Sequence, residues 1–140
     1  MNDTSYAGDV MPADAWKQLQ ETHDAVLVDV RTDAEWRFVG IPDLSGIGKQ
    51  VRLVEWQHYP DGRPNAGFAS EVAGLLEKDQ PIYFLCRSGA RSRAAAMALT
   101  AMGYGPCYNV AQGFEGDKDS DSHRGGVGGW KHAGLPWRQD

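Results

Sequence analysis

A chain of 140 residues and 15.3 kDa has room for one domain that buries about two-thirds of its unfolded surface, and a second full domain does not fit. With 41% hydrophobic residues, 24% charged residues and no apolar run near the ~18 residues of a membrane span, the composition is that of a soluble globular protein and excludes a membrane-spanning one. A net charge of −5 argues against a dedicated nucleic-acid binder, because phosphate contacts call for a basic face.

The first residues, MNDTSYAGDV, lack the basic start and apolar core of a secretory signal, so the expected location is cytoplasmic, with a mature form already stripped of its signal left open. Pro12 at a first-turn position, followed by helix formers with Ala15, Trp16 and Leu19 on one side, predicts a helix over 12–21. AVLVDV (25–30) is a compact run without strict alternation, as in a strand covered on both faces. Thr32 followed three residues later by Glu35 is a capping box that opens a short helix ending near Gly40-Ile41-Pro42. QVRLVEW (50–56) reads as a strand and YPDGRPNAG (59–67) as a surface loop. Phe68, Val72, Leu75 and Leu76 then fall on one face of a helix despite Gly74. PIYFLC (81–86) returns to buried strand. After an Arg-rich turn, Ala95, Ala98, Leu99 and Met102 mark a helix that Gly103 terminates, and CYNV (107–110) is a last short strand. The tail begins polar and glycine-rich, predicting an exposed loop over 117–129, and ends in an aromatic segment, 130–138, that folds back on the body through Trp130, Leu135 and Trp137.

Alternating strand and helix signals predict an α/β fold with a mostly parallel sheet of about five strands and helices on both faces. Ligands in such sheets bind beyond the carboxyl ends of the strands, and Cys86 closes the most apolar strand at that rim. The turn into the next helix directs backbone N–H groups inward, where the unsatisfied amides of the helix's first turn join them. Small residues at Ser88, Gly89 and Ala90 let this turn curl tightly, and Arg87, Arg91 and Arg93 make one positive patch suited to a small anion. A thiol at the centre of such a nest is stabilised as its thiolate and becomes a nucleophile. A cysteine at the end of a buried strand is often simple packing, but packing does not need a Gly-centred turn with arginines at both ends. Cys107 begins an apolar strand without basic neighbours and reads as an inert core residue; the pair is neither a disulfide framework nor a metal set.

CRSGARS after an apolar strand, LVDVRTDAEW upstream and GWKHAGLPW near the end together resemble a single-domain rhodanese, the sulfurtransferase family, over nearly the whole chain. The resemblance implies that Cys86 takes a sulfane sulfur from an anionic donor such as thiosulfate or a persulfide. It would hold that sulfur as a persulfide and pass it to cyanide or a thiol, with a protein sulfur-relay partner as a further acceptor. Arg87, Ser88, Gly89, Ala90, Arg91 and Ser92 would form the cradle, chiefly through their amides. Asp29 and Arg31 would brace the active loop and the segment after it, while Trp36 and Trp56 belong either to the entrance or to the core. Dual-specificity phosphatases of the cell-cycle type share the architecture but carry His-Cys-x5-Arg, and phosphatase or arsenate-reductase chemistry is the rival reading. Here Leu85 precedes the cysteine and Arg91 follows after four residues, a tighter ring that suits a sulfur better than a phosphoryl group. A regulatory module or a non-turnover sulfur carrier is the third reading.

Two weaker signals remain. Asp117, Asp119 and Asp121 alternate as at the start of a calcium loop, but Ser122 and Gly128 occupy the positions of its turn glycine and bidentate Glu. His123 and Arg124 are candidates for a lid over the site. No cofactor or metal is expected, since thiolate sulfur chemistry needs none and neither a Walker-type nor a dinucleotide motif occurs.

Overall fold

The computed structural model describes residues 5–139; the start of the segment read for a signal, residues 1–4, lies outside them. Five strands form one all-parallel sheet in the order β1-β6-β5-β2-β4: β1 (Gly8–Val10), β2 (Val26–Asp29), β4 (Arg52–Leu53), β5 (Ile82–Leu85) and β6 (Cys107–Val110). A two-stranded antiparallel ribbon pairs β3 (Ile41–Pro42) with β7 (Trp137–Arg138), tying the C-terminal segment to the end of the second helix. The helices are α1 (Pro12–Glu21), α2 (Asp33–Val39), α3 (Phe68–Leu75) and α4 (Ala90–Ala101).

Side-chain alternation along β5 divides the core. Ile82, Phe84 and Cys86 face α3 and α4 and pack with Val72, Ala95, Ala96 and Leu99. Tyr83 and Leu85 face the other layer, with Ala15 and Leu19 of α1 and with Phe114 and Trp130 of the C-terminal segment. Both faces of β5 are therefore buried, which is why it reads as an unbroken apolar run. Trp130 reaches zero exposure, stands edge-on to Trp16 and donates its indole N–H to the Pro136 carbonyl at 2.7 Å.

Several elements differ from the sequence reading. β1 was not anticipated. QVRLVEW contributes only the two residues of β4, and α3 stops at Leu75. Cys86 is the first residue beyond β5 rather than its last. Residues 117–127 run mostly exposed, whereas Gly128, Gly129 and Trp130 are buried. In the acidic stretch, Asp119 accepts the Asp121 and His123 amides at 2.9 Å each, an Asx-type turn that closes the loop on itself.

Candidate active site

Cys86 sits between β5 and α4, with 1% of its surface exposed. Two donors reach its sulfur: the Gly89 amide at 3.1 Å and the Ser92 hydroxyl at 3.2 Å. Gly89 adopts φ +120°, a left-handed conformation that L side chains rarely take, so the turn that aims this amide at the sulfur requires glycine on conformational grounds. Ser92 lies on the first turn of α4, fully buried, and its hydroxyl also meets the Asn109 side-chain oxygen at 2.5 Å.

The loop is held from outside by the turn after β6. Phe114 N–H donates to the Cys86 carbonyl at 2.8 Å, and the Glu115 and Gly116 amides donate to the Arg87 carbonyl at 3.0 and 3.2 Å. Gly113, at φ +57°, permits this approach: a Cβ there would meet the Cys86 carbonyl oxygen and stand 2.6 Å from the Arg87 carbonyl carbon.

The three arginines do not form the single patch expected of them. Arg91 points to α2 and makes a two-pronged bond to Glu35, Nη1–Oε1 at 2.7 Å and Nη2–Oε2 at 3.0 Å. Glu35 simultaneously closes the capping box with Thr32 at the start of α2. Burial pushes the Glu35 carboxyl up, but the Arg91 guanidinium and the Thr32 donors outweigh it and bring it down to about 2. Burial also works against the charge on Arg91, yet Glu35, with help from Cys86 and Asp29, holds its pKa above the usual value. Arg93 stands over the Tyr6 ring, 5.8 Å from its centroid. Of the three, the exposed Arg87 alone has no bonded partner among the described residues. It shares a groove of about 510 Å³ with Arg91, Glu35, His58 and the exposed Phe38 (78%) and Tyr59 (67%).

Asp29 and Arg31, both with no exposed surface, form a buried ion pair with Nη2–Oδ2 at 2.6 Å. Arg31 donates to the Gly40 carbonyl at 2.7 Å and lies 4.2 Å from the Phe114 ring centroid. Their support of the loop is thus indirect, through the residue whose amide holds the Cys86 carbonyl. Neither tryptophan considered for the entrance lines the groove: Trp56 packs edge-on to Phe68, and Trp36 lies by Ile41 and Leu53. Residues 117–129 do not line it either, and Arg124 donates to the Gly116 carbonyl at 2.7 Å instead. Cys107 is buried on the α4 side, and burial pushes its thiol up. Sequence reasoning missed Asn109, Gly113 and the Arg91 partnership of Glu35; neither the position of Asn109 within β6 nor that of Gly113 in the turn after it carries a local signal for loop support.

Among the described residues no cluster of His, Cys, Asp and Glu is arranged to hold a metal ion, and no helix is long and apolar enough to cross a membrane. Residues 11–120 match the family model described as rhodanese-like domain. An uncharacterized protein of Rickettsia conorii is 42% identical over 124 residues, covering 89% of this chain and 91% of that one. A protein of Allochromatium vinosum named sulfurtransferase is 30% identical over 120 residues, covering 86% and 84%. The crystal structure of Rv0390 from M. tuberculosis superposes with a TM-score of 0.90 at 51% identity, covering 97% of this chain and all of that one.

Proposed function

The chain belongs to the rhodanese-like domain family, and from that premise we propose that it is a sulfurtransferase that carries a sulfane sulfur as a persulfide on Cys86. The Cys86 thiolate attacks the outer sulfur of an anionic donor such as thiosulfate; the donor's S–S bond breaks and sulfite leaves with the electron pair. Cyanide or a thiol then attacks the outer sulfur of the persulfide, and the thiolate is restored as the leaving group. Sγ bears negative charge as the attacking thiolate of the first half-reaction and again as the leaving thiolate of the second, and the Gly89 amide and the Ser92 hydroxyl lie within reach of it. That convergence of two donors on one thiol is the observation that carries the reading. Arg87, exposed in the groove beside the Cys86 loop, would draw in the anionic donor, and the segment 130–138 acts as part of the same domain. Nothing in the transfer calls for a cofactor.

Arg91 argues against phosphatase chemistry, because the guanidinium that would clamp a phosphoryl group is bonded to Glu35 on both prongs. The test is intact-mass spectrometry after incubation with thiosulfate. One added sulfur that cyanide removes, and that Cys86→Ser abolishes while the protein stays folded, is the expected result. A wild-type protein that takes up no sulfur from thiosulfate or a low-molecular-weight persulfide would sink the proposal.

A further inference from the structure

Behind the thiol a chain of polar groups runs to the edge of the sheet. Ser92 Oγ is 3.2 Å from Cys86 Sγ and 2.5 Å from Asn109 Oδ1. The amide nitrogen of Asn109 donates to Asp9 Oδ1 at 3.1 Å, and the same Asp9 oxygen accepts the Tyr6 hydroxyl at 2.7 Å. Asp9 and Asn109 are register partners across the β1–β6 ladder, so the outermost strand sets the distance between them. The loop residues alone do not account for this arrangement, and of its links the transfer chemistry above uses only the Ser92 contact to the sulfur.

Donor counting makes the chain directional. A carboxylate only accepts, so Asp9 turns the NH2 of Asn109 toward itself and leaves the carbonyl oxygen facing Ser92. A serine hydroxyl has one proton and here has three acceptors within reach, Asn109 Oδ1 at 2.5 Å, the sulfur at 3.2 Å and the Gly89 carbonyl at 3.3 Å, of which Asn109 is much the nearest. While that proton lies on Asn109, Ser92 offers the sulfur only lone pairs, which suit an S–H donor and not a thiolate. To support a thiolate, the hydroxyl must turn its proton to the sulfur and leave two oxygens facing each other across the short Asn109 contact. We propose that Asn109, oriented by Asp9, is a positioning residue that withholds the Ser92 proton from Cys86 until the sulfur carries charge, and so restrains thiolate formation. This rests on Cys86 being the reacting thiol. The other charged groups around it are Arg87 and Arg91 of its own loop and helix, Glu35 of α2 paired to Arg91, the Asp29–Arg31 pair at the end of β2, and Arg93 beside Tyr6; the variants below leave all of them in place.

The experiment follows the ultraviolet thiolate signal of the full chain against pH, together with the pH profile of kcat/KM for thiosulfate, in Asp9→Ala and Asn109→Ala. Burial keeps the Cys107 thiol above the relevant window. Freed from Asp9, the Asn109 amide can donate to Ser92, and with Asn109 removed the nearest competing acceptor is gone, leaving the longer contact to the Gly89 carbonyl as the alternative to the sulfur. Both variants should therefore bring in the signal, and the acid limb of the profile, at lower pH by about one unit, the tenfold expected for a hydrogen bond to a charged group. Introducing Ser92→Ala beneath either substitution should abolish the displacement. An unmoved or raised limb in the folded variants, or a displacement that survives Ser92→Ala, overturns the proposal. Asp9 is exposed, so its variant tests the idea even if Asn109→Ala fails to fold. A wild type that takes up no sulfur would refute the transfer reading alone, since the thiolate signal still reports the direction of the Ser92 proton.

Discussion

Glu35→Gln isolates the charge of the Glu35–Arg91 bond, because glutamine at the third position of α2 retains a carbonyl for the capping box. The Glu35 carboxyl, ordinarily near 4.5, lies at about 2 in the folded protein. A carboxyl depressed in the folded state stabilises it fully above the unfolded pKa, and that stabilisation fades as pH falls through the folded pKa. The difference corresponds to about 3 kcal/mol at pH 7, falling to roughly 1 kcal/mol by pH 3. Removing one partner also leaves the half-buried Arg91 charge uncompensated, which acts in the same direction. Urea unfolding of wild type and variant at pH 7, pH 5 and pH 3 measures both effects. The variant should be less stable by about 3 kcal/mol at pH 7 and pH 5, with the gap narrowing at pH 3. A gap independent of pH would mean that the bond contributes through shape rather than charge, and a gap below about 0.5 kcal/mol at pH 7 would place it with exposed ion pairs of little consequence.

Gly113→Ala forces a side chain into a left-handed position and against the Cys86 and Arg87 carbonyls; it should cost about 2 kcal/mol or more in urea unfolding and lower turnover, and a loss within about 0.5 kcal/mol would show that the turn yields easily. Arg87→Ala should raise KM for thiosulfate several-fold with kcat and melting temperature held, more at low salt than at high, whereas an unchanged KM would remove the residue from donor capture. Cys107→Ala should keep the single-sulfur mass gain intact, since that thiol is buried and its pKa raised; halved uptake would point to a second carrier.

The parts legible in the sequence were those whose cause is local. The Thr32–Glu35 capping box, the apolar run of β5 and the small-residue turn after Cys86 each announce themselves within a few positions, and each is present. β1 is different in kind: a three-residue strand beginning with Gly8 and containing Asp9 has no strand propensity, and it is extended because β6 offers it a ladder. The same holds for Glu35, whose capping role is visible three residues away while its partner Arg91 is 56 positions distant. The dispersal of the three arginines could not be foreseen either, because their separation depends on where α2 and the Tyr6 segment lie around α4. Phe38 and Tyr59, not Trp36 and Trp56, line the groove, because the two tryptophans, each partly buried, pack against the core layers through contacts distant in sequence.

The orientation of the loop after Cys86 follows from a constraint that no loop residue carries. A peptide unit is planar, so its carbonyl and the next N–H point in opposite directions. The turn after β6 binds the Cys86 and Arg87 carbonyls on one side, and this directs the N–H groups of Arg87 and Ser88 to the other side, away from that turn. Gly89 then reverses the chain at φ +120° and brings its own N–H onto the sulfur. The direction of the loop's amides is therefore set as much by Gly113, Phe114 and Glu115, which fix the peptide planes, as by the residues next to Cys86. The buried Asp29–Arg31 pair belongs to the same device: by lying against Phe114 it holds the residue that holds the Cys86 carbonyl. A charged pair with no exposed surface is a poor source of net stability, and its placement here is better explained by the geometry it imposes on the loop than by any energy it adds.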